Sequence, residues 1–140
     1  MSIEQNKTLA RRWFEEVINK RNLAAIDELF AINLVDHALP PGLAPGIEGL
    51  KQVHSAYVHA FPDIQVTIED MIAEGDKVVT RVTWRGTHRG ELMGMPPTGK
   101  QVAFSGIDSY RIADGKIVEC WSYSDTLGML QQLGVIPPMG

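Results

Sequence analysis

The sequence predicts an α+β fold, in which helices from the first half of the chain pack on one mostly antiparallel sheet. Apolar residues recur at helical spacing as far as Phe61, and from Ile64 onward they alternate with polar residues. The pair Asp114-Gly115 is a strong hairpin signal between two of the predicted strands, because a type I′ turn needs positive φ at both central positions. Helices first and a meander of strands afterwards are typical of α+β domains.

Caps and apolar stripes mark three helices before the sheet. Ser2 and Gln5 have the spacing of a capping box at the start of the first helix. Asn22 can cap a short second helix, and Pro62 ends a third, which follows the proline- and glycine-rich loop 40–46. The predicted buried stripes are Leu9, Ala10, Trp13, Phe14, Val17 and Ile18 in the first helix, Leu23, Ile26, Leu29 and Phe30 in the second, and Leu50, Val53, His54, Tyr57, Val58 and Phe61 in the third.

Four strands and a last short helix follow. The alternating residues 64–68 predict the first strand of the meander, and residues 77–87 predict its partner after a turn near Gly75. Residues 101–112 and 116–124 flank the Asp114-Gly115 turn. The tail reads as a helix with Asp125 at its N-cap. No repeat or linker divides the chain, so residues 1–140 are expected to form a single domain.

Composition excludes several classes of function. With one cysteine, Cys120, the chain can form no internal disulfide and no metal site built on several cysteines. The four histidines show no metal-ligand spacing, and we expect no metal. A formal charge of -4 with interspersed charges argues against nucleic acid as a partner. No apolar run is long enough to span a bilayer, so we expect no membrane association and a cytoplasmic protein.

Strand alternation predicts one aromatic face of the sheet. If Asp114-Gly115 is a two-residue turn, Asp108 lies opposite Trp121. Three short helices can cover only one face, and an uncovered aromatic face would mark an interface. We therefore predict a homodimer through this face; the alternative is that its aromatic residues pack under the helices of a monomer. The face is expected to carry Trp84, Tyr110, Trp121 and Tyr123.

The opposite face is expected to line a cavity beneath the helices. It would carry Arg81, Thr83, Ser109, Cys120 and Ser122, whose mostly small side chains leave volume unfilled. A guanidinium pointing inward is costly to bury unless it meets a carboxylate, a carbonyl or an anionic substrate, so Arg81 is a candidate catalytic residue. The alternative is that Arg81 sits at a wet rim or pairs with a structural acid.

Several short segments together resemble the SnoaL-like polyketide cyclase family of the nuclear-transport-factor-2-like superfamily. They are Val35-Asp36-His37, Phe61-Pro62-Asp63, Gly86-Thr87-His88, residues 96–100 (PPTGK), residues 115–121 (GKIVECW) and residues 125–128 (DTLG). The resemblance implies a strongly curved sheet wrapped by helices into a cone around a deep apolar pocket, commonly in a dimer. It also implies intramolecular aldol ring closure without a cofactor.

The resemblance also implies where the chemistry of this family would lie. The acid/base aspartate of the cyclases falls at Ser122, and their accompanying histidine falls near Ser109. Limonene epoxide hydrolase, a second template in the superfamily, places an arginine at Arg81, but its two acids fall at Thr83 and Ser122. A serine of ordinary pKa cannot shuttle a proton near pH 7 without an adjacent base.

Three other residues are candidates for the pocket. His37 could supply the missing acid/base function, because only histidine titrates near neutrality without perturbation. His54 and Tyr57 share the apolar face of the third helix, where packing is the alternative to ligand binding, and Trp13 is expected to reach the pocket from the first. These residues predict a cyclase or isomerase acting on an apolar carbonyl compound, with Arg81 polarising oxygen and His37 moving protons. The alternatives are a non-catalytic binding module and, less favoured, an epoxide hydrolase.

Overall fold

The computed structural model describes residues 2–137 as four α-helices against a five-stranded sheet. The helices are α1 (Ile3–Arg12), which continues as a π-helical segment (Trp13–Asn19), α2 (Ala25–Leu29), α3 (Gly46–Ala60) and α4 (Thr126–Leu133). The strands are β1 (Phe30–Asp36), β2 (Gln65–Glu74), β3 (Lys77–Thr87), β4 (Gln101–Ala113) and β5 (Lys116–Ser124). The predicted α+β class is confirmed.

The predicted cap of α1 is present. The Gln5 backbone N–H donates to Ser2 Oγ over 3.1 Å, and the Ser2 backbone N–H donates to Gln5 Oε1 over 2.8 Å. Two otherwise unpaired donors of the first turn are thereby satisfied. In the π-helical segment that continues α1, Trp13, Phe14, Val17 and Ile18 are all buried.

The strand order is β1-β5-β4-β3-β2 in an open, mixed sheet. The β2–β3, β3–β4 and β4–β5 pairs are antiparallel, whereas β1 pairs in parallel with β5. The helices cover one face, where the core includes Val78 and Val82 of β3, Ile112 of β4 and Ile117 of β5. β1 is an edge strand that pairs with β5, and its last residue, Asp36, lies opposite Cys120. The loop after Asp36 therefore begins beside the covered face.

The β4–β5 hairpin contains a bulge that strict alternation does not predict. Asp114 and Gly115 have φ of 52° and 76°, which confirms the two-residue turn with Ile112 opposite Ile117. The next pair is Arg111 with Glu119, so one extra residue, Val118, is inserted into β5. From there onward each residue of β5 has exchanged faces relative to a regular ladder. Asp108 consequently lies opposite Ser122, and the prediction that it lies opposite Trp121 is wrong.

The bulge divides the predicted aromatic face. Trp84 and Tyr110 lie on the covered face, where each packs against Phe14. Trp121 and Tyr123 lie on the other face, and Tyr123 is 72% exposed. The prediction that all four share one face is therefore wrong. The helices cover the face that carries the apolar residues of β3 and β4, because burying them is what stabilises the packing.

No helix within residues 2–137 is long and apolar enough to cross a membrane.

Candidate functional site

A cavity of about 290 Å³ lies between the covered face of the sheet, the π-helical segment and α3. This volume is near the lower end of the range of small-molecule sites, roughly 300–1,000 Å³. The helical wall is mostly apolar, whereas the sheet wall carries polar groups on three adjacent strands. These polar residues are Asp36 of β1, Asp108 of β4, and Cys120, Ser122 and Ser124 of β5.

Asp108 is the most deeply buried carboxyl on the cavity wall. Asp108 is only 7% exposed, and the hydroxyl of Thr80 donates to its Oδ2 over 3.5 Å. Burial is the largest cause of a shift that raises the pKa of Asp108 to about 6; hydrogen bonds from Ser122 and Thr80 oppose it, and the charge of Asp36 adds to it. Asp108 therefore exchanges its proton near neutral pH, as an acid/base group must.

Asp36 and Cys120 form the neighbouring part of the polar wall. They are register partners in the parallel β1–β5 pair, and the backbone N–H of Ala38 donates to Asp36 Oδ1 over 2.9 Å. Burial, followed by the charge of Asp36 and a hydrogen bond to it, raises the pKa of the Cys120 thiol far above its usual range. Cys120 is thus a protonated thiol, and a thiolate nucleophile is not available here.

Two polar side chains face the cavity from α3. His54 is 7% exposed, and burial, with a smaller contribution from the charge of Arg21, lowers its pKa, so its imidazole is neutral at pH 7. Its Nε2 has no hydrogen-bond partner among residues 2–137. Burial raises the pKa of Tyr57, which stays a protonated phenol. Neither residue is ionised, so the helical wall offers hydrogen bonds without charge.

Trp13 and Tyr110 are two aromatic residues of the cavity wall. The indole ring of Trp13 stands edge-on to Phe30, with centroids 5.1 Å apart. Tyr110 is 2% exposed, and burial together with the nearby Asp108 raises its pKa well above the usual range. Both residues line the cavity.

Comparison with known proteins decides the family. The model of the family described as SnoaL-like polyketide cyclase matches residues 8–133. This chain belongs to the SnoaL-like polyketide cyclase family. The resemblance given by the short sequence segments is therefore confirmed.

Individual relatives support this family assignment. Aklanonic acid methyl ester cyclase DnrD from Streptomyces peucetius is 33% identical over 97 residues, which are 68% of this chain and 61% of DnrD. The match thus spans about three-fifths of that relative. The structure of TsrD from Streptomyces laurentii superposes with a TM-score of 0.88 at 26% identity, covering 97% of this chain and 99% of TsrD. IdmH from Streptomyces antibioticus superposes with a TM-score of 0.81 at 36% identity, covering 93% and 99%.

Five of the residues predicted for the pocket do line the cavity of this SnoaL-like protein. They are Trp13, His54, Tyr57, Cys120 and Ser122. Thr83 and Ser109 do not, because they belong to the uncovered face, where Thr83 Oγ1 donates to Glu69 Oε1 over 3.0 Å and Ser109 pairs with Trp121. The prediction that these two residues face the pocket is wrong.

Both predicted catalytic residues also lie outside the cavity. Arg81 is exposed and alternates with Thr80 and Val82, which are buried on the covered face. His37 follows β1 on the outer side, where its Nε2 lies 2.6 Å from Glu119 Oε2 and its ring stacks on Trp121 at a centroid distance of 4.9 Å. The placements predicted for Arg81 and His37 are wrong, because successive residues of a strand point to opposite faces.

Sequence reasoning missed the two carboxyls of the SnoaL-like cavity, Asp36 and Asp108. Asp108 interrupts an alternating apolar series of β4 that includes Phe104, Tyr110 and Ile112, all buried. A carboxylate in phase with such a series is a signal of a functional site, since burying an ion without reason is costly. Asp36 stood beside His37 in a segment already singled out. No group of three or more metal-ligating side chains occurs in residues 2–137.

Proposed function

We propose that this protein is a cyclase that closes a ring in an apolar, carbonyl-containing small molecule by an intramolecular aldol reaction. The observation that carries the proposal is Asp108, a buried carboxyl with a pKa of about 6 on the wall of an otherwise apolar cavity. Membership of the SnoaL-like polyketide cyclase family and the match to DnrD, which is named as a methyl ester cyclase, support it.

A single carboxyl can carry both protons of this reaction. The Asp108 carboxylate removes a proton from the carbon next to a carbonyl, and the C–H electron pair becomes an enolate. The enolate carbon then bonds to a second carbonyl carbon of the same molecule, whose C=O π pair moves onto oxygen. The resulting alkoxide takes the proton from the Asp108 carboxyl, which returns to its starting state. The reaction needs no oxidant, reductant or cofactor.

The surroundings of Asp108 suit this role. Because its pKa is raised toward neutrality, Asp108 is a stronger base than an exposed aspartate and is still mostly ionised at pH 7. The hydroxyl of Thr80 donates to the carboxylate, and Ser122 lies opposite it on β5, where its hydroxyl favours the ionised form. The apolar helical wall, which includes Leu50 and Val53, excludes water that would otherwise protonate the enolate.

The geometry weighs against the epoxide hydrolase alternative. That template needs an arginine between two acids, and Arg81 is on the uncovered face; the cavity lining of the described residues contains no arginine. A binding module without chemistry is the remaining rival. The binding module was favoured because Ser122 stands where the cyclases have their acid/base aspartate. Asp108, however, places a carboxyl directly opposite Ser122.

The proposal is tested by the first chemical step alone, with cyclohexanone as the probe. In D₂O, exchange of its α-protons followed by NMR reports proton removal whatever ring the natural substrate forms. We expect the protein to accelerate exchange and Asp108→Asn to lower the rate about 10²–10⁴-fold. Asp70→Asn, which changes an exposed aspartate of β2, is the matched control and should keep the rate. Equal rates in the wild type and Asp108→Asn would leave only the binding module.

We also retain a homodimer as a proposal, with a revised contact. The uncovered sheet face carries exposed apolar side chains, and a second copy of the chain is the occupant we propose. A two-fold contact of this face with itself would cover Ile72, Val79, Ile107 and Tyr123. Light scattering should give twice the mass of one 15.5 kDa chain; a 15.5 kDa particle at micromolar concentration would refute it.

A cytoplasmic location is likewise proposed, supported only by the single buried thiol of Cys120.

A further inference from the structure

Tyr110 is a buried phenol that the proposed aldol chemistry does not yet use. It lies two residues from Asp108 on the covered face of β4, and both residues line the cavity. Neighbours on one face of a strand are separated by two residue rises, about 6.8 Å between their Cα atoms. One small ketone can therefore contact both side chains.

The hydrogen bonding of Tyr110 leaves its proton free for a ligand. A phenol carries one O–H donor, and the side-chain hydrogen bonds within residues 2–137 do not use that of Tyr110. Because Tyr110 lines the cavity, a ligand oxygen placed there can accept this hydrogen. Such a bond, formed away from bulk water, favours a ligand that carries an oxygen at this point.

The environment also keeps Tyr110 a donor. Burial is the largest cause that raises its pKa well above the usual range, and the charges of Asp108 and Asp36 act in the same direction. The phenol therefore cannot serve as a base near neutral pH. It can stabilise negative charge on an oxygen without giving up its proton, as a preorganised donor of an oxyanion site does.

We propose that Tyr110 is a catalytic residue that donates a hydrogen bond to the substrate's carbonyl oxygen while Asp108 removes the proton from the adjacent carbon. The inference rests on the proposed function and adds an oxygen-binding group to it. Charge that moves from the C–H bond onto the carbonyl oxygen is met by the Tyr110 O–H, which keeps its own proton.

Tyr110→Phe removes the hydroxyl and keeps the ring that packs on Phe14. In the cyclohexanone exchange experiment we expect this variant to be about 10²–10³-fold slower than the wild type. Tyr123→Phe is the matched control, because it removes a phenol hydroxyl from the uncovered face of the sheet and should stay within about twofold of the wild type. A Tyr110→Phe rate equal to that of the wild type would overturn the proposal.

Binding of 2-naphthol, followed by its fluorescence, gives a readout that does not depend on turnover. This planar ring with one oxygen imitates an enol, and we expect Tyr110→Phe to bind it about tenfold more weakly, whereas Tyr123→Phe binds it as the wild type does. The wild type should bind naphthalene, which lacks the oxygen, about tenfold more weakly than 2-naphthol, and this comparison serves if Tyr110→Phe does not fold. Unchanged affinity in Tyr110→Phe, or equal affinity of the wild type for 2-naphthol and naphthalene, would contradict an oxygen site at Tyr110. If 2-naphthol binding depends on Tyr110 but the wild type does not accelerate ketone exchange, the proposed cyclase function is refuted. The oxygen-binding role of Tyr110 would then still stand.

Discussion

Asp108 and Ser122 are register partners in the β4–β5 pair, and the nearby serine hydroxyl acts to lower the pKa of the carboxyl. The family resemblance placed the catalytic aspartate of the cyclases at Ser122. In this chain the carboxyl projects into the same part of the cavity from the neighbouring strand. The bulge at Val118 makes this pairing possible, since a regular ladder would bring Trp121 opposite Asp108.

Moving the carboxyl back across the hairpin should restore activity. Asp108→Ser alone removes the proton carrier, and we expect α-proton exchange of cyclohexanone to fall to the rate in buffer. Adding Ser122→Asp in the same chain returns a carboxylate to the cavity wall, so the double variant should recover at least about tenfold over Asp108→Ser. NMR exchange rates of the single and double variants compare the two directly. No recovery, with the double variant folded and binding 2-naphthol, would mean that the reaction requires a carboxyl on β4.

Asp108 should make the protein less stable as pH rises. Its folded-state pKa of about 6 exceeds the unfolded value of 3.8, so between these values the folded state binds more protons than the unfolded state. The contribution of Asp108 to stability is therefore present below pH 3.8 and is lost as pH rises to about 6; a shift of this size corresponds to about 3 kcal/mol. Asp108→Asn should thus raise the Tm relative to the wild type at pH 7.5 and lose that advantage at pH 4. Thermal unfolding at both pH values checks this, and a variant less stable at pH 7.5 would contradict it.

Removing Arg81 or His37, the catalytic candidates that the sequence predicts, should leave the chemistry intact. Arg81 and His37 lie on the uncovered face, so Arg81→Ala and His37→Ala should each exchange cyclohexanone within about twofold of the wild type. His37→Ala also removes the contact of His37 Nε2 with Glu119 Oε2, a partly exposed contact of the kind worth roughly 0–1 kcal/mol. Exchange rates and urea unfolding of the same preparations separate the two effects. A loss of exchange in a stably folded Arg81→Ala or His37→Ala protein would show that the reaction depends on the uncovered face and contradict the cavity site.

The two hydroxyls beside Asp108 should tune its acidity. Hydrogen bonds from Ser122 and Thr80 favour the ionised carboxyl and so lower its pKa. Thr80→Val and Ser122→Ala should therefore each move the titration midpoint of Asp108 above about 6. Thr83→Val, on the uncovered face of the same strand as Thr80, is the control and should leave it unchanged. Midpoints in Thr80→Val and Ser122→Ala equal to that of the wild type would show that the hydroxyls do not bond to the carboxylate.

Much of the fold follows from local signals in the sequence. The Ser2 capping box, the Asp114-Gly115 turn and the Asp125 cap are short-range features set by a few neighbouring residues, and all three are present. The N-cap of α2 differs from the prediction: it is Ala24 rather than Asn22, whose carbonyl instead accepts from the Ala25 N–H.

The site was harder to predict because it depends on which face of each strand is covered. One inserted residue, Val118, exchanges the faces of everything beyond it in β5, and no local signal marks it. Cys120 and Ser122 line the cavity, as the sequence predicts. Arg81, Thr83 and Ser109 lie on the uncovered face, whereas the prediction placed them in the cavity. The deciding quantity was the buried apolar area that the helices cover on β3 and β4, which is a property of the whole domain.

The proposed chemistry requires a carboxyl inside the cavity that exchanges its proton near neutral pH. The most direct measurement is a titration of the aspartate side-chain carboxyls by ¹³C NMR, with the Asp108 signal assigned by its absence from Asp108→Asn. We predict a midpoint of about 6 for this signal, which should move when 2-naphthol fills the cavity. A midpoint near 3.8, unaffected by the naphthol, would describe a solvated aspartate and contradict the account.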